Sequence, residues 1–121
     1  MNDQKNMSCS SRRRSFGYAF NGLLLLLRQE PNFKLQVIAA IVAVIAGFIR
    51  HFGHVQWLSL IFAIALVLIT EALNTCIEKL CDFACDSKIH PAIKVIKDIS
   101  AAAVLLAACG SAIIGFIIFF L

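Results

Sequence analysis

Apolar residues in this chain run in long blocks with short polar breaks between them. Gly17 to Leu27 is a mostly apolar run of eleven residues, between Arg12-Arg13-Arg14 and Arg28-Gln29-Glu30-Pro31. Leu35 to Ile49 is fifteen residues without a charge, and Val55 to Thr70 is sixteen. Ile99 to Leu121 is twenty-three. A spanning helix needs roughly 17–25 apolar residues, so the pattern predicts three spans, at about 32–52, 55–82 and 96–121. The second must continue past Glu71 and Asn74, because sixteen residues rise only about 24 Å against a hydrocarbon core of ~30 Å. The first run is too short to cross. Basic at its start and ended by Pro31, it reads as an interfacial helix over about 12–30. Residues 1–11 are polar and aperiodic, so a disordered tail is expected, followed by one domain over 12–121. The fold class is an all-α membrane protein.

Composition agrees. The chain of 121 residues is 60% hydrophobic and 15% charged, with a mean hydropathy of +0.86. Soluble domains are about half apolar and a quarter charged, and so short a chain cannot hide this much apolar area in one water-facing core. An intrinsically disordered protein is excluded, and a soluble enzyme is a poor fit. The net charge of +4 rests on one short basic run, with no basic stripe for nucleic acid. With the N-terminus cytoplasmic, ten basic residues lie inside and Arg50 alone lies outside. Arg13-Arg14-Ser15-Phe16 imitates a twin-arginine signal, but no small-residue cleavage site follows. Five cysteines, odd in number and without a CxxC, argue against a disulfide framework or a zinc site, and Cys76, Cys81 and Cys85 read as small buried apolar residues. Ala103, Ala107, Ser111 and Gly115 recur every four positions. This stripe suits close helix contact and a homo-oligomer, or else packing within the chain.

The informative residues are acids where hydrocarbon should be. Glu71, Asn74, Glu78 and Asp82 are spaced three, four and four apart, which puts them within a sector of roughly 80° on one helix face. A carboxylate inside a bilayer is costly and usually marks function, although Asp82 also suits simple snorkelling to the interface. Such carboxylates can take Mg²⁺ together with phosphate oxygens, or serve as a general base. Glu30 ends the interfacial helix at the same depth, and His90, Lys94, Lys97 and Asp98 approach the same face. Acids for a metal and a lysine for phosphate fit phosphoryl transfer. A solvated basic loop is the plainer reading of His90, Lys94 and Lys97. Neither GxxxxGK[ST] nor GxGxxG occurs.

The segment from Glu71 to Asp82, Glu-Ala-Leu-Asn-Thr-Cys-Ile-Glu-Lys-Leu-Cys-Asp, closely resembles the signature of the prokaryotic diacylglycerol kinase family. The resemblance extends over Gly17-Tyr18-Ala19-Phe20-Asn21-Gly22, Glu30, Phe33, Lys97-Asp98 and Ser100 to Leu106. Cys76 and Cys81 depart from the usual residues but are small or apolar. The resemblance implies a homotrimeric kinase that uses MgATP to phosphorylate the hydroxyl of a membrane lipid at the cytoplasmic face of a bacterial inner membrane. Carried over, Glu71 would be the catalytic base, and Glu30 and Glu78 would hold Mg²⁺ and, through it, ATP. Tyr18, Lys88-Ile89-His90 and Lys97-Asp98 would contact the nucleotide, with Asn74 and Ser100 supporting the site or substrate. Gln36 and His90 to Asp98 look more like the undecaprenol kinase branch than the diacylglycerol kinase branch. The alternatives are a small proton-coupled transporter built on a buried glutamate and a non-enzymatic membrane adaptor.

Overall fold

The computed structural model describes the backbone except at Met1, Ser87 and Ile89, and side chains from Arg12 onward with the same two loop exceptions. The described residues form four helices: α1 (Asn2–Gln29), α2 (Pro31–Ile49), α3 (His54–Ala84) and α4 (Pro91–Phe120). The last three are long and apolar enough to cross a membrane. The chain divides into two units, residues 1–34 and 35–121.

In the first unit, α1 begins at Asn2 rather than near Arg12. No proline or glycine interrupts the backbone before Gly17. The side chains of the expected tail, residues 1–11, lie outside those described. Pro31 ends α1 as expected and opens α2 at its first position, where its missing N–H is no loss. Glu30 sits between the two helices, its N–H donating to Leu26 O at 3.0 Å and its carbonyl accepting from Lys34 at 3.2 Å.

In the second unit, α3 and α4 form the principal helix pair. Small residues set their distance: Ala63 of α3 and Ala107 of α4 are buried. Ser111 Oγ donates to Ala63 O at 3.0 Å. Of the small-residue stripe of α4, Ala107 and Ser111 thus pack on α3, while Ala103 is exposed and a Cβ at Gly115 would meet open space. Large apolar residues face outward, as with Leu106, 74% exposed. In water so much exposed apolar surface would be untenable; in lipid it is ordinary.

At the end of this unit remote from the acids, α2 and α3 are joined by a turn over Arg50 to Gly53. The first span thus stops short of residue 52. His51 adopts φ 55°, a left-handed conformation that histidine tolerates better than branched residues, and the helix cannot continue through it. Gly47 lies so close to the next segment that a Cβ there would meet Phe52 and Trp57 at 3.0 Å. Trp57 packs at ring-centroid distances of 4.6 Å from Phe48 and 5.8 Å from Phe52, and Phe52 lies 4.9 Å from Phe119. The last carbonyls of a helix lack donors of their own. Here Arg50 donates to Phe119 O and Gln56 Nε2 to Ile118 O at 3.3 Å. Gln56 Oε1 also accepts from Gly53 N at 2.9 Å, which helps start α3.

At the opposite end, α3 stops where Asp86 takes φ 48°. The next helix, α4, starts at Pro91, five residues before the expected span. His90 is its cap: Nδ1 accepts from Ala92 N at 3.1 Å, with proline at the first helical position. Lys94 and Lys97 consequently stand on a helix and not in a loop, and Asp98 follows them on it.

Candidate active site

Glu71, Asn74, Glu78 and Asp82 all lie on α3, which is unbroken from His54 to Ala84. Eleven residues of helix lift Asp82 about 16 Å above Glu71, so the four side chains form a ladder along one face.

At its foot, Glu71 is 6% exposed. Its Oε2 accepts from Gln36 Nε2 of α2 at 3.2 Å. A buried carboxylate must be hydrogen-bonded to be tolerated, and the α2 amide provides that. Gln36 Oε1 is also buried and meets no donor among the described residues. Gln36 stands at the rim of an apolar cleft of about 370 Å³ among α2, α3 and α4, lined by small and aliphatic residues such as Ala39, Ala43, Ala63, Val67, Ala108 and Gly115.

In the middle of the ladder, Asn74 Nδ2 donates to Glu78 Oε1 at 3.3 Å, and Ser100 Oγ of α4 donates to Asn74 Oδ1 at 2.8 Å. At the top, Lys97 Nζ donates to Asp82 Oδ1 at 2.6 Å, and Lys94 pairs with Asp98 at 2.8 Å. These groups line a second, ionic cleft of about 270 Å³ with Cys85, Lys88, His90 and Ile93. Because His90 Nδ1 accepts a hydrogen bond, a neutral imidazole carries its proton on Nε2, a donor free of the cap.

Glu71, Asn74, Glu78, Lys97, Asp98, His90 and Ser100 thus fall along one ladder and the cleft at its head. Lys88 is exposed there, and Ile89 lies outside the described residues. Tyr18 (69% exposed) and Glu30 (half-buried) belong to the first unit. Among the described residues, no three acids, histidines or cysteines converge to form a metal cage. Of the three cysteines expected to be buried, Cys81 is buried and Cys85 half-buried, whereas Cys76 is exposed, because it falls on the opposite side of α3 from the acids.

The sequence profile of the prokaryotic diacylglycerol kinase family matches residues 17–119, nearly the whole chain. The chain belongs to the prokaryotic diacylglycerol kinase family. It is 37% identical over 106 residues to the undecaprenol kinase of Bacillus subtilis (strain 168), covering 88% of this chain and 85% of that protein. It is 32% identical over 101 residues to a diacylglycerol kinase of Synechocystis sp., covering 84% of this chain but 58% of that longer protein. The protein is therefore an integral membrane enzyme, a lipid kinase. Nothing in these likenesses supports the transporter reading.

Sequence reasoning used Gln36 only to choose a family branch and missed its contact with Glu71. The signal was present: an amide inside the uncharged run Leu35 to Ile49 needs a polar partner in hydrocarbon. For Asp82, left open to snorkelling, the structure adds a partner, Lys97, and leaves the carboxylate exposed.

Proposed function

We propose that the protein transfers the γ-phosphoryl group of ATP to the hydroxyl of a membrane lipid alcohol, undecaprenol in preference to diacylglycerol. The observation that carries this reading is the buried carboxylate of Glu71, held by Gln36 at the rim of an apolar cleft, on the same helix face that leads to an ionic cleft. A hydrocarbon chain suits the first cleft and a polyphosphate the second.

Glu71 accepts the hydroxyl proton as the lipid oxygen attacks the γ-phosphorus in line. The new P–O bond forms as the bond from the γ-phosphorus to the β–γ bridging oxygen breaks, and ADP leaves with that electron pair. Protein positioning supplies most of the catalysis in such transfers. Lys97 and the Nε2 side of His90 face the nucleotide phosphates, and Asp98 holds Lys94 beside them.

Mg²⁺ bound with a nucleotide takes one or two carboxylates and draws its other ligands from phosphate and water. The absence of a three-residue cage among the described residues is compatible with that donor set. Glu78 would hold the ion through the oxygen that Asn74 leaves open, and the bound ion would neutralise phosphate charge. Glu30, as the second carboxylate, and Tyr18, at the nucleotide, enter this proposal from the family likeness and not from geometry.

The undecaprenol preference is supported by the relative that matches over most of both chains and by the stretch His90 to Asp98. A homotrimer in a bacterial inner membrane, with the N-terminus and the site cytoplasmic, is supported by the family likeness and the ten-to-one bias of basic residues. Purified protein in detergent, given ATP with undecaprenol or diacylglycerol, with and without Mg²⁺, tests the whole reading. The expected result is Mg²⁺-dependent undecaprenyl phosphate. Phosphorylation of diacylglycerol alone reverses the lipid assignment, and no lipid phosphate from either overturns the reading.

A further inference from the structure

Hydroxyls on membrane helices readily donate to their own helix, to a carbonyl one turn back. Ser59 does so to Val55 O at 2.8 Å, and Thr70 to Leu66 O at 2.8 Å. Ser100 departs from that pattern. It is 6% exposed, and its hydrogen crosses to another helix, onto the Asn74 side chain. Ser111 on the same face of α4 also crosses to α3, but onto the backbone carbonyl of Ala63, which any side chain at position 63 would leave in place. Ser100 therefore addresses a particular side chain.

The direction of the chain Ser100 to Asn74 to Glu78 is fixed from its far end. A carboxylate accepts hydrogen bonds and does not donate. Asn74 must turn its NH₂ towards Glu78, so its carbonyl faces Ser100 and the serine must supply the hydrogen. Glu78 itself is exposed and long, and side-chain entropy opposes holding it in one rotamer. The two bonds give it one. Ser100 also stands one turn from Lys97, so α4 reaches α3 twice in succession: Lys97 to Asp82, then Ser100 to Asn74.

We propose that Ser100 is a positioning residue that acts through Asn74 to hold the Glu78 carboxylate ready for the divalent cation carried by the nucleotide. The proposal rests on the kinase reading for the identity of that ligand. It assigns Ser100 no contact with lipid or phosphate.

The test is Mn²⁺ binding, followed by electron paramagnetic resonance in the presence of a non-hydrolysable ATP analogue. It uses the whole protein in detergent and four variants: Ser100→Ala, Ser100→Thr, Asn74→Ala and the double Ser100→Ala/Asn74→Ala. Elution volume and unfolding temperature establish that each variant is folded. Ser100→Ala is expected to weaken Mn²⁺ binding about three- to tenfold, the range for one hydrogen bond, and Ser100→Thr, which keeps the hydroxyl, to restore it. In the Asn74→Ala background the serine substitution should add nothing, because its effect passes through the amide. Additive losses overturn the proposal, as does Mn²⁺ binding unchanged by Ser100→Ala. A raised lipid KM for Ser100→Ala in the Asn74→Ala background overturns it as well, since that would make Ser100 a direct substrate contact. Because Mn²⁺ binding needs no turnover, absence of lipid phosphorylation with the binding pattern intact would remove the proposed reaction and leave the positioning role standing.

Discussion

The two ends of the α2–α4 unit are held by different physics. At one end, aromatic rings close over Gly47, and the last carbonyls of α4 are fastened by Arg50 and Gln56. At the other, α3 and α4 meet through Ser100, Asn74, Glu78, Lys97 and Asp82. Close apolar packing resists change because any added volume must displace neighbours. Exposed ion pairs exchange partners at little cost. On the proposed reading, a nucleotide enters at the ionic end while the packed end keeps the helices in register.

That contrast predicts which substitutions alter chemistry and which alter stability. The largest effect should come from Glu71→Gln. Removing a general base lowers rate by roughly 10²- to 10⁴-fold, so kcat should fall on that scale, while unfolding temperature and ATP-analogue binding stay near wild type. Near-normal turnover with radiolabelled ATP and a lipid alcohol would remove Glu71 from the mechanism. Next comes Gly47→Leu, which overfills the contact with Phe52 and Trp57 and should destabilise by about 1–3 kcal/mol, read by thermal unfolding in detergent. Its kcat, measured well below the unfolding temperature, should hardly move. An equal loss of kcat would show that the two ends are coupled. Ser111→Ala removes one interhelical hydrogen bond midway between them and should cost about 0.6 kcal/mol by the same assay. Asp82→Asn should be the smallest in stability, with no resolvable change in unfolding, because its pair with Lys97 is exposed. It should lower the KM for ATP slightly by releasing Lys97.

Much of this was legible in the chain. Uninterrupted apolar runs gave the three spans, because a bilayer demands a minimum length, and helical spacing gave the shared face of Glu71, Asn74, Glu78 and Asp82. The ends of the elements were less legible. The start of α4 depends on His90 accepting a hydrogen bond beside Pro91, a local cap that hydrophobic periodicity does not register, and the stop of α2 depends on the left-handed backbone at His51. Contacts between distant residues were least legible. Gln36 lies 35 positions from Glu71, and Ser100 lies 26 from Asn74. Nothing in the run of residues states which helix an isolated amide or hydroxyl will meet.

The unbroken course of α3 also works as a ruler. Its 31 residues measure about 46 Å, well beyond the ~30 Å of hydrocarbon. One residue inserted between Gly53 and Glu71 would raise every acid by about 1.5 Å and swing it through about 100°. The ladder would then face away from Gln36 and Ser100 while the span stayed just as hydrophobic. Gains and losses of chain length during divergence are therefore expected in the turn at Arg50 to Gly53 or in the loop before His90, and not within that helix.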